Sequence, residues 1–187
     1  IYVTNSMKEA LEVKPNKMQT EALSQLHALR ATGATKGLII SATGTGKTYL
    51  AAFDVRQANP DKVLFIVHRE QILKKAMQDF RKILGGDEDD YGILSGNNKD
   101  LNARYLFATI QTISKDPYLQ CFAKNHFEYI LIDEVHRAGA ESYLKIINYF
   151  TPEFLLGMTA TPERTDNFNI FELFDYNIAY EIRLQAA

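Results

Sequence analysis

Short apolar runs alternate with helix-like segments along most of the chain, and this alternation is the strongest structural signal in the sequence. Five runs have the length of buried strands and cover residues 37–41, 62–68, 104–108, 127–132 and 154–158. Continuous apolar strands are typical of a parallel sheet covered on both faces, and intervening helices favour the same architecture. The pattern therefore predicts an α/β fold, a mostly parallel, doubly wound sheet with helices on both faces.

The helices and the minor strands rest on weaker signals. Helical spacing of apolar residues predicts helices over residues 18–30, 70–84 and 141–150, and a helical stretch from 109 toward 122. Gly33 should end the first of these helices. Residues 91–94 predict a short strand, and residues 177–184 fit either a late strand or the start of a linker.

The stretch from Ser41 to Thr48 carries the clearest chemistry. It lies between an apolar run and a helix-forming segment, which is the strand–loop–helix context of a phosphate-binding loop. Lys47 should reach the terminal phosphates, and the Thr48 hydroxyl should take one position on Mg²⁺. Backbone N–H groups of the loop form an anion cradle at the helix N-terminus, and we assign to it Thr43, Gly44, Thr45 and Gly46.

This loop departs from the plain phosphate-loop pattern at one position. Ser41 stands where the first glycine is expected, while Gly44 inside the loop can supply backbone freedom instead. With a strand before the loop and a helix after it, the stretch predicts a nucleoside triphosphate site.

An acidic pair, Asp133-Glu134, closes the apolar run 127–132. The chain can curl at the end of a strand, so that one carboxylate faces a metal ion and the other faces the attacking water. We expect Asp133 to bind Mg²⁺ through water and Glu134 to orient or deprotonate the nucleophilic water. Together with Lys47, these two carboxylates are the predicted catalytic residues.

Polar clusters follow all five apolar runs. In a parallel sheet, ligands bind outside the carboxyl ends of the strands, so these clusters should form a single functional face. They are residues 41–48, 68–69, 109–112, 133–136 and 159–161. Hydroxyls, backbone N–H groups and an arginine at one sheet edge suit contacts with nucleic-acid phosphates, which fix position without reading sequence.

Composition and charge limit the classes of protein. The 187 residues are 46% hydrophobic and 24% charged, as in a soluble single domain. The net charge of -2 excludes a basic nucleic-acid-binding protein that works through bulk charge.

The single cysteine, Cys121, cannot form an internal disulfide, and the sequence has neither zinc spacing nor an 18-residue apolar run. We expect a cytoplasmic protein without a membrane partner. The lack of an initiator Met suggests an excised fragment.

Three motifs resemble those of superfamily 2 helicases. Residues 42–48, 133–136 and 159–161 look like motifs I, II in its DExH form, and III of that superfamily. The resemblance covers nearly the whole chain, as a first RecA-like motor domain of the P-loop NTPase class. It implies ATP and Mg²⁺ as cofactors, and Gln19 matches the glutamine that reads adenine. Residues 157–165 resemble the branch that contains restriction-enzyme motor subunits and related DNA translocases.

The resemblance also implies further roles. His136, Thr159 and Thr161 would couple the state of the nucleotide to the grip on the strand. Residues 67–71 are similar to motif Ia and residues 108–112 to motif Ib, which touch the nucleic-acid backbone in this superfamily. The nucleic-acid contacts implied in this way are His68, Arg69, Thr109, Gln111 and Thr112.

The predicted organisation has three parts. Residues 1–36 are an N-terminal helical segment with the adenine-reading glutamine, residues 37–175 the motor domain, and residues 176–187 the start of a linker. The linker would lead to a second RecA-like domain, which is missing from this chain and supplies arginine fingers in the superfamily. The chain alone should therefore bind nucleotide, hydrolyse it poorly and not unwind. DNA is the expected partner; the sequence leaves open a nuclease or methylation subunit.

Other functions stay open at this point. An RNA helicase is the main alternative, although the context of residues 159–164 favours DNA. A P-loop switch such as a GTPase is disfavoured because no Asn-Lys-x-Asp motif occurs and Gln19 favours adenine. A non-catalytic scaffold is disfavoured because Lys47, Asp133 and Glu134 are all present.

Overall fold

The fold is built on a parallel sheet. A computed structural model describes residues 13–41, 46–134, 140–160 and 170–182. Within these ranges seven strands form one sheet in the order β3-β4-β2-β5-β6-β1-β7, and every pairing is parallel. The strands are β1 Lys36–Ser41, β2 Val63–Val67, β3 Tyr91–Leu94, β4 Tyr105–Thr109, β5 Tyr129–Asp133, β6 Phe154–Thr159 and β7 Ile178–Ile182.

Helices connect the strands and cover both faces of the sheet. In the described ranges they are α1 Lys17–Ala31, α2 Lys47–Ala58, α3 Glu70–Leu84, α4 Ile110–Ile113, α5 Asp116–Leu119, α6 Ala140–Tyr149 and α7 Ile170–Leu173. Two apolar cores result, one on each face of the sheet. Along β2, for example, Phe65 joins the core beneath α2 and α3, while Leu64 and Ile66 join the opposite one. The predicted doubly wound fold is confirmed.

The first helix begins and ends at sequence-encoded signals. The Gln19 backbone N–H donates to the Asn16 side chain at 2.8 Å, and the Asn16 backbone N–H donates to the Gln19 side chain at 2.9 Å. This reciprocal capping box satisfies donors that a helix start leaves open. At the other end Gly33 has φ +88, a conformation that glycine adopts without strain. The expected end at Gly33 is confirmed.

One sequence-based expectation needs correction. The helical stretch expected from 109 toward 122 is two short helices, α4 and α5, separated by Lys115 in an extended conformation. Pro117 lies in the first turn of α5, where the missing N–H costs nothing, and it favours a new helix start over a continuous helix.

The segment after Asn177, which the sequence left as either a late strand or the start of a linker, is a strand over Ile178–Ile182. These residues pair in parallel with β1 and complete the sheet. The Asn177 side chain donates to the Lys36 carbonyl at 3.0 Å, and the Leu38 N–H donates to the Asn177 carbonyl at 2.8 Å. The helix α1 packs on both α2 and β7.

A buried ion pair joins α1 to α2 at the amino edge of the sheet. The Arg30 guanidinium donates two hydrogen bonds to the fully buried Asp54 carboxylate, at 2.6 and 2.7 Å. The Tyr129 hydroxyl, at the start of β5, donates to the same carboxylate. Burial would lower the pKa of Arg30, but the hydrogen bonds and charge of Asp54 outweigh it and raise that pKa. The three side chains therefore fasten both helices to the sheet.

No helix in the part of the chain that the structure describes has both the length and the apolar character needed to cross a bilayer.

Candidate nucleotide and nucleic-acid site

The phosphate-loop lysine lies at the start of a helix on the carboxyl edge of the sheet. Lys47 is the first residue of α2 and is only 4% exposed. Its N-cap residue, Gly46, has no side chain to accept from the N–H groups of the first turn, which leaves that helix end suited to an anion. Thr48 follows in the same turn and is half-buried. The predicted loop residues Thr43, Gly44 and Thr45 lie outside the described ranges.

The acidic pair lies directly opposite this lysine. The Lys47 Nζ donates to Glu134 Oε1 at 2.5 Å, which joins two residues 87 positions apart in the sequence. The Glu134 carboxylate is about 30% exposed, whereas the ammonium of Lys47 is nearly buried. Because a buried ammonium needs a partner, Glu134 stabilises the charged lysine in this arrangement.

The backbone changes conformation between the two residues of the acidic pair. Asp133 still pairs with Met158 of β6 and is buried, but Glu134 has φ +55, in the left-handed region that side chains rarely adopt. The Glu134 N–H donates to the Met158 carbonyl at 2.9 Å and holds the turned backbone in place. The chain therefore curls at the end of this strand, as the sequence predicts.

The predicted adenine-reading glutamine lies beside the phosphate loop. The Gln19 side-chain amide donates to the Gly46 carbonyl at 3.4 Å, a long hydrogen bond that links α1 to the start of α2. The amide oxygen of the same residue is held by the capping box. The half-buried Gln19 is thus fixed in orientation at the rim of the nucleotide site.

The residues expected to hold Mg²⁺ fit a nucleotide-bound ion better than a protein-enclosed metal. Within the described ranges no group of three or more His, Cys, Asp or Glu side chains could hold a metal ion. Mg²⁺ bound with a nucleotide takes only one or two protein ligands beside phosphate and water. A threonine hydroxyl and a carboxylate, Thr48 and Asp133, at the same sheet edge meet that requirement.

Thr159 lies between the two parts of the nucleotide site. It is the last residue of β6, pairs with Ile40 of β1 and is fully buried. Since β6 separates β5 from β1, Thr159 lies between the acidic pair and the phosphate loop. Its predicted coupling partners His136 and Thr161 fall outside the described residues.

The other half of the carboxyl edge, at β2 and β4, brings together the residues predicted to contact nucleic acid. The Gln111 amide donates to the His68 carbonyl at 2.9 Å, and it lies 3.4 Å from His68 Nδ1. Thr109 and Thr112 are buried, and their hydroxyls bond to each other at 2.9 Å. Arg69 and Gln111 are exposed. Accessibility therefore favours Arg69 and Gln111 over the two threonines as phosphate contacts.

Sequence reasoning missed two polar groups of the core. One is the Asp54 carboxylate, and its signal was a lone acid within the apolar stretch 51–55. The other is the Tyr143 hydroxyl on α6, which is fully buried. The periodic pattern of α6 cannot distinguish a tyrosine that only packs in the core from one whose hydroxyl makes a functional hydrogen bond.

The fold and this edge define a RecA-like P-loop domain of the superfamily 2 kind. Residues 12–164 match the family described as type III restriction enzyme, res subunit. Since the match covers more than half of the chain, the chain belongs to that family.

Relatives and solved structures agree with this assignment. The chain is 26% identical over 176 residues to the type I restriction enzyme EcoAI endonuclease subunit of Escherichia coli, covering 86% of this chain and 21% of that protein. It is 28% identical over 131 residues to the DNA 3'-5' translocase XPB2 of Sulfurisphaera tokodaii, covering 70% and 28%. A hypothetical ATP-dependent RNA helicase from Sulfolobus tokodaii has the same fold, with a TM-score of 0.72 at 17% identity over 94% of this chain and 55% of that one. The chain thus spans about a fifth to a quarter of these curated relatives.

Proposed function

We propose that this chain is the nucleotide-binding motor domain of an ATP-driven DNA translocase or helicase. The observation that carries the proposal is the 2.5 Å contact between Lys47 of the phosphate loop and Glu134 of the acidic pair. A lysine and a carboxylate from two distant motifs meet at the carboxyl edge of a parallel sheet, where this fold class binds ligands.

The chain's own residues divide the chemistry between them. Lys47 and the first turn of α2 would bind the phosphates, and Glu134 would orient the attacking water and accept its proton. Thr48 and Asp133 would hold Mg²⁺, which when bound neutralises charge on the phosphates. Thr159, with His136 and Thr161, would transmit the occupancy of this site to the nucleic-acid half of the edge.

The nucleotide is proposed to be ATP because Gln19 lies at the rim of the phosphate loop. Besides its bonds to Asn16 and Gly46, its amide keeps one further N–H donor and one further acceptor lone pair in one plane, which suits the amino group and ring nitrogen of adenine. In the 187-residue chain, Gln19→Ala should reduce the preference for ATP over GTP, measured as the ratio of their dissociation constants by calorimetry. Gln25→Ala, an exposed glutamine on the same helix, should leave the ratio unchanged. If the wild-type chain prefers GTP, the alternative of a P-loop switch such as a GTPase would be favoured instead.

DNA is proposed as the partner on two grounds. The relatives include a restriction-enzyme subunit and a protein named as a DNA translocase. The exposed Arg69 and Gln111 can contact phosphates without a basic surface over the whole domain. We propose that this activity is located in the cytoplasm, where ATP is available.

We propose that a second RecA-like domain completes the site for ATP hydrolysis. An arginine finger contributes several orders of magnitude in rate to P-loop enzymes, so the 187-residue chain alone should hydrolyse ATP slowly. Its affinity for nucleotide does not depend on that finger, because Lys47 and the α2 N-terminus belong to this chain.

The experiment that tests the proposal measures ATP turnover by the full-length protein with and without single- and double-stranded DNA and RNA. DNA should stimulate turnover, and Glu134→Gln should abolish the stimulation. Glu141→Gln, an exposed acid at the start of α6, should leave it intact. Stimulation by RNA alone would favour the RNA helicase. A rate of ATP turnover that neither DNA nor RNA changes would contradict the proposed motor function.

A further inference from the structure

The hydroxyl of Tyr143 is not among the groups proposed to bind nucleotide, Mg²⁺ or nucleic acid. The residue is fully buried on α6, and within the described ranges no atom is placed to hydrogen-bond with the hydroxyl. A buried donor without an acceptor costs stability and is uncommon in native structures. The cost would be offset if the hydroxyl gained an acceptor in another arrangement of the site.

The direction of α6 places this hydroxyl toward the acidic pair. Ile146 and Ile147 of α6 line one cavity with Ile130 of β5 and Leu155 of β6, near the amino ends of both strands. Since α6 begins after β5 ends and leads into β6, it runs antiparallel to them. Tyr143 lies one turn before Ile146, about 4.5 Å nearer the carboxyl edge.

The side chain extends further in the same direction. Helical side chains tilt toward the helix N-terminus, and the N-terminus of α6 points to the carboxyl edge. Asp133 is three residues beyond Ile130 on β5, which is about 10 Å along the strand. The turn of helix and the length of a tyrosine together cover much of that distance.

The electrostatics agree with this placement. Burial, followed by the charges of Asp133 and then Glu134, raises the pKa of Tyr143 to about 12. The hydroxyl therefore stays protonated at neutral pH and is available as a donor to a carboxylate.

We propose that Tyr143 is a positioning residue for Asp133: its hydroxyl donates a hydrogen bond to the Asp133 carboxylate once Mg²⁺ and nucleotide occupy the site. This inference rests on the proposed function, because it assigns a task to a residue beside the proposed Mg²⁺ ligand. In the structure Lys47 engages Glu134, and the hydroxyl has no acceptor within the described ranges. With Mg²⁺ on Asp133, a hydrogen bond from Tyr143 would fix the orientation of that carboxylate.

A tyrosine that only fills the core behaves differently from one that positions Asp133. Phenylalanine at 143 keeps the ring and removes the unsatisfied hydroxyl, so the nucleotide-free chain should melt at an equal or higher temperature. The same change removes a hydrogen bond to a charged group in the bound state, so Mg²⁺·ATP should bind about tenfold more weakly. In EDTA, where no metal needs Asp133, the affinity for ATP should be unchanged.

The test uses the 187-residue chain, calorimetric titration with ATP in Mg²⁺ or EDTA, and thermal melting. Tyr149→Phe is the matched control, since the Tyr149 hydroxyl on the same helix already donates to the Phe122 carbonyl at 2.5 Å. That control should lower the melting temperature and leave both affinities unchanged. Tyr143→Met serves as a second hydroxyl-free variant, with circular dichroism to verify folding.

Each outcome decides one of the two proposals. If the wild-type chain binds ATP in Mg²⁺ and Tyr143→Phe binds it equally well, the positioning role is overturned and the proposed function stands. The positioning role is also overturned if Tyr143→Phe only lowers the melting temperature, as expected for Tyr149→Phe. If the wild-type chain binds no ATP under either condition, the nucleotide site itself is overturned, and the role of Tyr143 with it.

Discussion

At the scale of single residues, the contact between Lys47 and Glu134 gives the lysine proposed to bind phosphates a carboxylate partner within the chain. The ammonium is buried and the carboxylate is partly exposed. Phosphates bound in the loop, as proposed, would compete with Glu134 for the lysine. The glutamate proposed to activate water therefore also competes with the substrate for the lysine.

This competition gives the first prediction. Glu134→Gln keeps the shape of the side chain but removes the charge that holds Lys47, so the nucleotide should bind more tightly, by about three- to tenfold. Titration calorimetry of the 187-residue chain with ATP measures the change, and Glu141→Gln serves as a control for the loss of one negative charge. An unchanged affinity for ATP would show that Glu134 does not compete with the nucleotide for Lys47.

The sequence predicts this contact only in part. Lys47 and Glu134 belong to motifs with recognisable local context, and each is predictable from its own strand end. Their ion pair depends on the order of β5, β6 and β1 in the sheet, which pattern reasoning does not supply. The left-handed backbone at Glu134 is likewise set by its bond to Met158, a residue far away in the sequence.

At the scale of elements, Asp54 holds α1 and α2 to the sheet. Its carboxylate accepts from Arg30 and Tyr129, and the Arg30 guanidinium also lies 5.0 Å from the centre of the Phe154 ring. Burial and then the charge of Asp54 raise the pKa of Tyr129 well above its usual value, which keeps that hydroxyl a donor. The helix that carries Gln19 is thus fixed at both ends, by Gly46 and by Asp54.

Removing the Asp54 carboxylate alone should lower the free energy of unfolding much more than replacing both Arg30 and Asp54 with apolar side chains. Asp54→Ala leaves a guanidinium and a buried hydroxyl without their acceptor, and should reduce the free energy of unfolding by about 3–5 kcal/mol. The double variant Arg30→Met, Asp54→Leu replaces the ions with apolar side chains and should recover most of that loss. Urea unfolding of the three chains measures both effects. Equal losses in the single and double variants would show that charge burial is not the cause.

Elements with strong local signals are predictable from the sequence, and those defined by their neighbours are not. The helix α3 has the predicted bounds because its apolar spacing is regular and Gly85 ends it. The sequence of β7 fits a strand or a linker because this segment lies at the sheet edge, where Ile178 is 44% exposed and the apolar pattern is weak. Its pairing with β1 decides its structure, and that contact spans about 140 residues.

At the scale of the whole molecule, buried tyrosines make stability depend on alkaline pH. Burial, with smaller effects of neighbouring charges, raises the pKa of Tyr91 and of Tyr143 to about 12. In the unfolded chain both ionise near pH 10. Their contribution is therefore complete below pH 10 and is lost as the pH rises from 10 toward 12.

The expected result is a free energy of unfolding that changes little at neutral pH and falls above pH 10. Each of the two tyrosines should contribute a loss of at most about 1.4 kcal/mol per pH unit in that interval. Urea unfolding at pH 8, 10 and 11 measures the slope, and Tyr91→Phe should remove the share of one tyrosine. A profile that stays flat to pH 11 would contradict the burial of these hydroxyls.

The sheet order has a mechanical consequence. Residues proposed to bind nucleotide follow β1, β5 and β6, and residues proposed to grip a strand follow β2 and β4, all within one hydrogen-bonded sheet whose two faces are packed. Close-packed interiors deform little, so the proposed nucleotide site and the proposed nucleic-acid site cannot move far relative to each other. If the chain is a motor domain, as proposed, each step along DNA would then be a movement of this rigid domain relative to another domain that touches the same edge. Internal cross-links that join the two halves of the sheet should therefore leave the step length unaltered.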